Sequence, residues 1–281
     1  MKVKRFWALL IQTYTQWSED QAPRLGAALA FYTLFSLAPL VIIGTAVFGL
    51  FLGREAAAGR ITGEIRDWVG PAASDQIQQF VTASTTHSSA ITATVIGTIL
   101  ALVGATGIFI ELKSSLDIIW KVKPKPNLGF IGFIKTRLAS VLMLLGVGII
   151  FILLISANTA VAVLARTIGP SLSGGPIVWQ IMNIVVSMII LALLFAFMFR
   201  YVPDVEIAWG DVWVGAALTA VLFMIGRYLL EFYLSRSAVT SLYGASGSLV
   251  ALLLWIYYSA QIVFFGAEFT QVYANKFGSK A

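Results

Sequence analysis

Residues 177–199 read IVWQIMNIVVSMIILALLFAFMF, 23 positions without a charged side chain. A helix rises 1.5 Å per residue, so about 20 residues cross a hydrocarbon core about 30 Å thick. The stretch is long enough, and apolar enough on every face, to be a transmembrane helix. Working outward from it, five further segments have the same character: 27–52, 91–112, 138–165, 209–231 and 248–272. The expected fold is all-α: one membrane domain over 1–281, a polytopic helical bundle with about six transmembrane helices plus interfacial amphipathic helices. No soluble domain fits between the spans.

Composition agrees. Of 281 residues, 59% are hydrophobic and 11% charged, and the mean hydropathy is +0.88. Soluble domains carry about 25% charged residues, and a chain of this size could not hide so much apolar surface from water. Cysteine is absent and histidine occurs once, which excludes disulfides, thiolate metal sites and any site built on several imidazoles.

Between the spans lie weaker patterns. Residues 4–17 place Phe6, Leu10, Tyr14 and Trp17 on one face, as in a helix lying in the membrane interface. No small-x-small cleavage site follows the basic start, so this is not a signal peptide. The loop 53–90 holds two amphipathic stretches, one marked by Ile61, Ile65 and Trp68 and the other by Ile77, Phe80 and Val81. They are expected on the outer leaflet.

Orientation follows from the basic residues, which collect on cytoplasmic segments. One set of loops, with both termini, holds Lys2, Lys4, Arg5, Arg24, Lys113, Lys121, Lys123, Lys125, Lys135, Arg137, Arg200, Lys276 and Lys280. That is 13 of the 19 Lys and Arg. The expected location is a bacterial inner membrane, with N and C termini cytoplasmic. The net charge of +6 is accounted for in this way, and Lys121-Val-Lys-Pro-Lys125 is a topology signal before it is a nucleic-acid contact.

Polar groups inside the spans carry the functional information, because an ionisable side chain there costs about 2.5–3.5 kcal/mol even on lenient scales. Glu268 stands in the sixth span, and Tyr257, Gln261, Glu268 and Gln271 share one side of that helix. Glu111 reaches the same depth, and Arg24 is expected to approach both carboxylates; a bond from Glu268 to Arg24 or Lys113 would make the group structural. Arg227 and Glu231, four residues apart, can pair near the outer side. Asn158 and Asn183 are expected to be buried amides that serve helix packing. Pro39 should kink the first span, and Gly104 and Gly107 suggest close packing or a gate. The acidic residues Asp204, Glu206 and Asp211 border a short loop, with Asp211 suited to a helix start. No phosphate-binding loop, His-Glu-x-x-His or Gly-x-Ser-x-Gly occurs. No metal site, cofactor or catalytic residue is expected.

Three stretches are distinctive together: Tyr243-Gly-Ala-Ser-Gly-Ser248, Leu253-Leu-Trp-Ile-Tyr-Tyr-Ser-Ala-Gln261 and Phe265-Gly-Ala-Glu-Phe-Thr270. With Phe31-Tyr-Thr-Leu-Phe-Ser-Leu-Ala-Pro-Leu40, Gly104-Ala-Thr-Gly107 and Tyr201-Val-Pro-Asp204, the chain resembles the YihY/BrkB family of bacterial inner-membrane proteins over nearly its whole length. That resemblance implies a membrane protein once labelled ribonuclease BN, a label regarded as a misassignment, and also labelled a serum-resistance virulence factor. Transport, including lipid translocation, has been proposed for the family. The residues themselves disfavour the nuclease, since metal-dependent phosphodiester hydrolysis needs clustered carboxylates or histidines. The leading expectation is a transporter or flippase of an amphipathic or lipidic substrate, not an enzyme. The alternatives are an ion-coupled solute exporter or channel, or a non-transporting scaffold. Membrane lipids are the expected partners, nucleic acid is not, and a homo-oligomer is left open.

Overall fold

Six helical stretches organise the described part of the chain. The computed structural model describes residues 3–36, 106–123, 175–236 and 247–280, with single helical positions between 146 and 167. The helices are α1 (Val3–Glu19), α2 (22–36), α3 (106–119), α4 (Gly175–Tyr201), α5 (Trp209–Arg236) and α6 (Gly247–Phe277). Three are long and apolar enough to cross a membrane: Ile177–Tyr201, Trp209–Leu234 and Leu249–Phe277. The protein is an all-helical membrane bundle. The loop 53–90, Pro39, Gly104 and Asn158 lie outside the described residues, as does most of the other three expected spans.

Each boundary has a local cause. α4 stops at Tyr201, two residues before Pro203, because the residue preceding a proline is pushed out of the helical region. α5 begins with Asp211 in its first turn, where a negative charge meets the positive end of the helix dipole. α3 ends in a reverse turn: Val122 N–H donates to the Asp117 carbonyl at 2.8 Å and Lys121 N–H to the Ile118 carbonyl at 3.0 Å. This pair of bonds needs a left-handed residue after the helix, ordinarily glycine. Here it is Lys121, with φ 53°.

α6 is the centre of the bundle and packs against both α5 and α1, while α4 packs against α5. The α5–α6 contact is built on two reciprocal pairs. Gly215 on α5 faces Thr270 on α6, and Gly266 on α6 faces Thr219 on α5. Each threonine turns its hydroxyl back onto its own helix, Thr219 to the Gly215 carbonyl and Thr270 to the Gly266 carbonyl, both at 2.7 Å. No polar group is then left unpaired where the backbones meet, and small residues set the approach. Ala260, Phe264 and Ala267 of α6 join Ala216 and Ala220 of α5, Leu112, Leu116 and Ile119 of α3 and Phe195 and Phe199 of α4 in one buried cluster. The outer faces are apolar. Ile177, Ile181, Val185, Ile189 and Leu193, spaced by four along α4, are all exposed, Ile177 by 67%. Water would penalise such a stripe and lipid does not.

α1 departs from the expected face. Leu9 and Thr13 are its fully buried residues, with Leu9 packed on Phe269 and Val272 of α6, and the Phe6 ring meets Phe269 edge-on at 6.4 Å. Tyr14 is exposed and stacks on Trp17. Trp7, Ile11 and Tyr14 form the outward stripe. Apolar residues cover so much of this helix that either face could be chosen, and contact with α6 selected Leu9 and Thr13.

Candidate functional site

The site lies where α1, the end of α3 and α6 converge. Glu268 is fully buried, and neither of its carboxylate oxygens has a hydrogen-bond donor. Gln271, one turn on, is 5% exposed and its Oε1 is equally without a donor. Two turns back, Gln261 Nε2 donates a long hydrogen bond, 3.5 Å, to the Ala22 carbonyl of α2, while its Oε1 has no partner. Tyr257 lies beside Gly26 on the same α2–α6 contact. A Cβ at 26 would lie only 3.1 Å from the Gln261 side-chain carbonyl carbon, so the end of that side chain would have to move aside. The polar stripe on α6 is therefore roofed by α1 and α2 rather than turned to lipid.

The charged group that bears most on Glu268 is Asp20, followed by Lys121 and Glu19. Asp20 occupies the turn between α1 and α2, where its N–H donates to the Gln16 carbonyl at 2.8 Å. Its side chain is 10% exposed and one oxygen pairs with the Lys121 ammonium. The other oxygen has no donor, nor does Gln16 Oε1. The indole N–H groups of Trp17 and Trp120, on the same two elements, are also buried without an acceptor. Buried polar atoms ordinarily find partners, so this seam is unusual.

The backbone is strained at the same place. Among the described residues, the non-glycine positions with positive φ are Gln21 at 54° and Lys121 at 53°. One adjoins Asp20 and the other is its ion-pair partner. Left-handed conformations cost an L-residue about 1–2 kcal/mol and cluster at functional sites.

Sequence reasoning expected Glu268 to meet Arg24 and Glu111. Instead Arg24 is exposed, Glu111 is half-buried on α3, and Asp20 and Lys121 take the places beside Glu268. Lys113 pairs elsewhere, with Asp117 at 2.7 Å and Asp204 at 2.9 Å. Burial opposes its charge, but the hydrogen bonds it donates to the two aspartates, with their charges, outweigh that and raise its pKa above the ordinary lysine value. Asp204 N–H also donates to Asp117 at 2.7 Å, so this cluster ties the 202–208 loop to α3.

At the far end of α5, Arg227 is half-buried beside a small pocket with Phe223, Trp255, Tyr258 and Ser259, its guanidinium 5.8 Å from the Tyr228 ring. Glu231 is exposed. Asn183 is also exposed, against the expectation of a buried amide. The inward residues of α4 come from its second half, Leu191 to Phe199, and leave the helix start outside. Gly107 packs on Tyr32 and Ser36 with room for a Cβ at 3.5 Å, so close approach does not require glycine there.

Residues 13–281 match the family described as Virulence factor BrkB. The chain belongs to the BrkB family. Among BrkB relatives, a UPF0761 membrane protein of Halorhodospira halophila is 26% identical over 96% of this chain and 57% of its own length. One of Alcanivorax borkumensis is 25% identical over 95% of this chain and 59% of its own. One of Pseudoalteromonas translucida is 27% identical over 90% and 81%. The chain thus spans somewhat under three fifths of the first two of these curated relatives. No solved structure matches it. The shared description is that of a membrane protein, in agreement with the apolar helices.

Asp211, on this BrkB chain, is structural. Its Oδ2 accepts from the Ser279 N–H at 2.9 Å and the Ser279 hydroxyl at 2.7 Å, which ties the end of α6 to the start of α5. Asp211→Ala should lower the Tm by several degrees, since charge-assisted hydrogen bonds contribute about 1.5–3 kcal/mol. A thermal-shift measurement on detergent-purified protein checks this, and an unchanged Tm would show that the tether is idle.

Proposed function

We infer that the chain is a transport protein for an amphipathic, lipid-like substrate, with the Glu268 seam as its polar waypoint. The observation that carries this reading is the fully buried, donor-less carboxylate of Glu268 in a membrane-spanning helix. Such a group is costly, and a purely structural role would have supplied it with a partner. The backbone strain at Gln21 and Lys121 supports the same conclusion, because both turns would reset if α1 and α2 moved off α6. A separate apolar cavity of about 220 Å³, lined by Ile150, Ile190, Leu193, Ala196, Phe197 and Trp209, offers a place for an acyl chain. In this reading the end bearing Lys113, Lys121, Arg200 and Lys280 faces the cytoplasm of a bacterial inner membrane. A polar headgroup would pass along Tyr257, Gln261 and Glu268 while its tails stay in the bilayer.

A second reading, ion-coupled export, is favoured by one observation: the charge at the seam is unbalanced, with Asp20 and Glu268 set against Lys121 alone. Rates that vary with pH and membrane potential would point to it.

The test is leaflet exchange of a fluorescent phospholipid in proteoliposomes, read by how much of it an external quencher can reach. Wild-type protein should accelerate exchange at least tenfold over empty vesicles. Exchange no faster than in empty vesicles, across several headgroups, would end the lipid reading.

A further inference from the structure

The seam between α1, α3 and α6 holds more unpaired acceptors than unpaired donors, the donors being the indole N–H groups of Trp17 and Trp120. Both oxygens of Glu268, Oδ2 of Asp20 and Oε1 of Gln16 and Gln271 are buried, and none has a donor. All are acceptors. Gln16 and Asp20 are four residues apart on one element, and Glu268 and Gln271 three apart on the other, so each pair shares a helix side. The two carboxyl groups act on each other strongly: ionised, neither can donate, and a proton on one would let it donate to the other. The charged groups facing Glu268 are Asp20 and Glu19 from α1 and its turn, and Lys121 from the end of α3. Glu19 is exposed and is screened by solvent. With both carboxyls ionised, two buried negative charges would face a single ammonium, that of Lys121, which is itself 53% exposed.

A single uncompensated charge in such a place costs several kcal/mol, and one added positive charge removes it. We propose that this seam binds one small cation, held between Asp20 and Glu268 with the amide oxygens of Gln16 and Gln271 completing its shell. An alkali metal ion would engage all four of these oxygen-bearing side chains. Hard cations take several oxygen ligands from carboxylates, amide carbonyls and water, whereas a proton shared by the two carboxyls leaves both glutamine oxygens without a donor. Lys121 sets the capacity of the site. By occupying one oxygen of Asp20 it cancels one charge, which selects a monovalent over a divalent ion. The strained φ of Lys121 is part of the device, because it puts the ammonium beside Asp20. Such a site would exist whether or not the chain moves lipid, and its test reads binding alone.

The full chain is purified in choline chloride, and its Tm is followed as NaCl or KCl replaces choline at constant ionic strength. A ligand that binds only the folded state raises Tm saturably. Wild type should gain several degrees, Glu268→Gln and Asp20→Asn should gain nothing, and Gln271→Leu should need roughly tenfold more salt. A second arm repeats the scan from about pH 5 to pH 9 in choline. A pH dependence present in wild type and absent in Glu268→Gln, with no salt effect, would overturn the metal-ion site and leave Glu268 a titrating carboxyl. Wild type and Glu268→Gln responding alike to both salt and pH would overturn the site, and the isosteric substitution keeps that outcome readable.

Discussion

Gly266→Val should leave little folded protein in the membrane, and Gly215→Val should do the same. A Cβ at position 266 would lie 2.9 Å from Thr219 Cβ and 3.0 Å from Thr219 Cγ2, and one at 215 would lie 2.8 Å from Thr270 Cβ. These are collisions with the branch point of a side chain, not with a flexible tip, so the helices themselves must separate. Overpacking a core costs about 1–3 kcal/mol when neighbours can yield. Here the neighbour is the α5–α6 seam, and separating it would also disturb the Asp211–Ser279 tether and the α1 contact beyond. The expected loss is at least tenfold in monodisperse protein on size-exclusion chromatography. The rescue is specific. Thr219→Ala keeps its Cβ and should not relieve Gly266→Ala, whereas Thr219→Gly should restore much of the yield. Equal rescue by both would mean that the pairs are not in contact as described.

Glu268→Gln should have the second-largest effect, and in the opposite sense for stability and function. The side chain keeps its size and loses its charge. In choline chloride, at a pH high enough to ionise Glu268, wild type carries an uncompensated carboxylate, and the amide relieves a penalty of order 2 kcal/mol. Unfolding temperature should therefore rise by roughly 4–8 °C, at about 2–4 °C per kcal/mol for chains of this size. Lipid exchange should fall at least tenfold in the same preparation. A group that stabilises the bundle would do the reverse, lowering the unfolding temperature and leaving exchange per folded molecule unchanged. Trading activity for stability in this way is the expected behaviour of a site that function keeps strained.

The parts of the fold that the sequence displays are those where lipid imposes a composition. The uncharged run at 177–199 becomes α4, and a lone Glu at 268 in an apolar helix was visible as an anomaly from residue type alone. Its partners were not visible. Electrostatic reasoning points to an opposite charge, Arg24, beside a buried carboxylate, but the chain turns at Gln21 and brings in Asp20, with Lys121 one step removed. The cue for that turn would normally be a glycine, and the residues with positive φ here are a glutamine and a lysine. Asn183 shows the weakness of assuming that polar means buried. An interhelical amide hydrogen bond contributes only about 0.6 kcal/mol on average, too little to compel α4 to turn that residue inward. On α1, Trp7 and Ile11 spread the apolar surface so widely that Leu9 and Thr13 could be recognised as the inner face only once α6 stood against them.

The central claim is that the buried carboxylate on α6 serves transport. Its most direct test is lipid exchange by wild type and Glu268→Gln reconstituted side by side at equal density of folded protein. Exchange that is rapid with wild type and near the empty-vesicle rate with Glu268→Gln is the predicted result. Equal exchange by the two proteins would contradict it and make Glu268 a feature of the architecture alone.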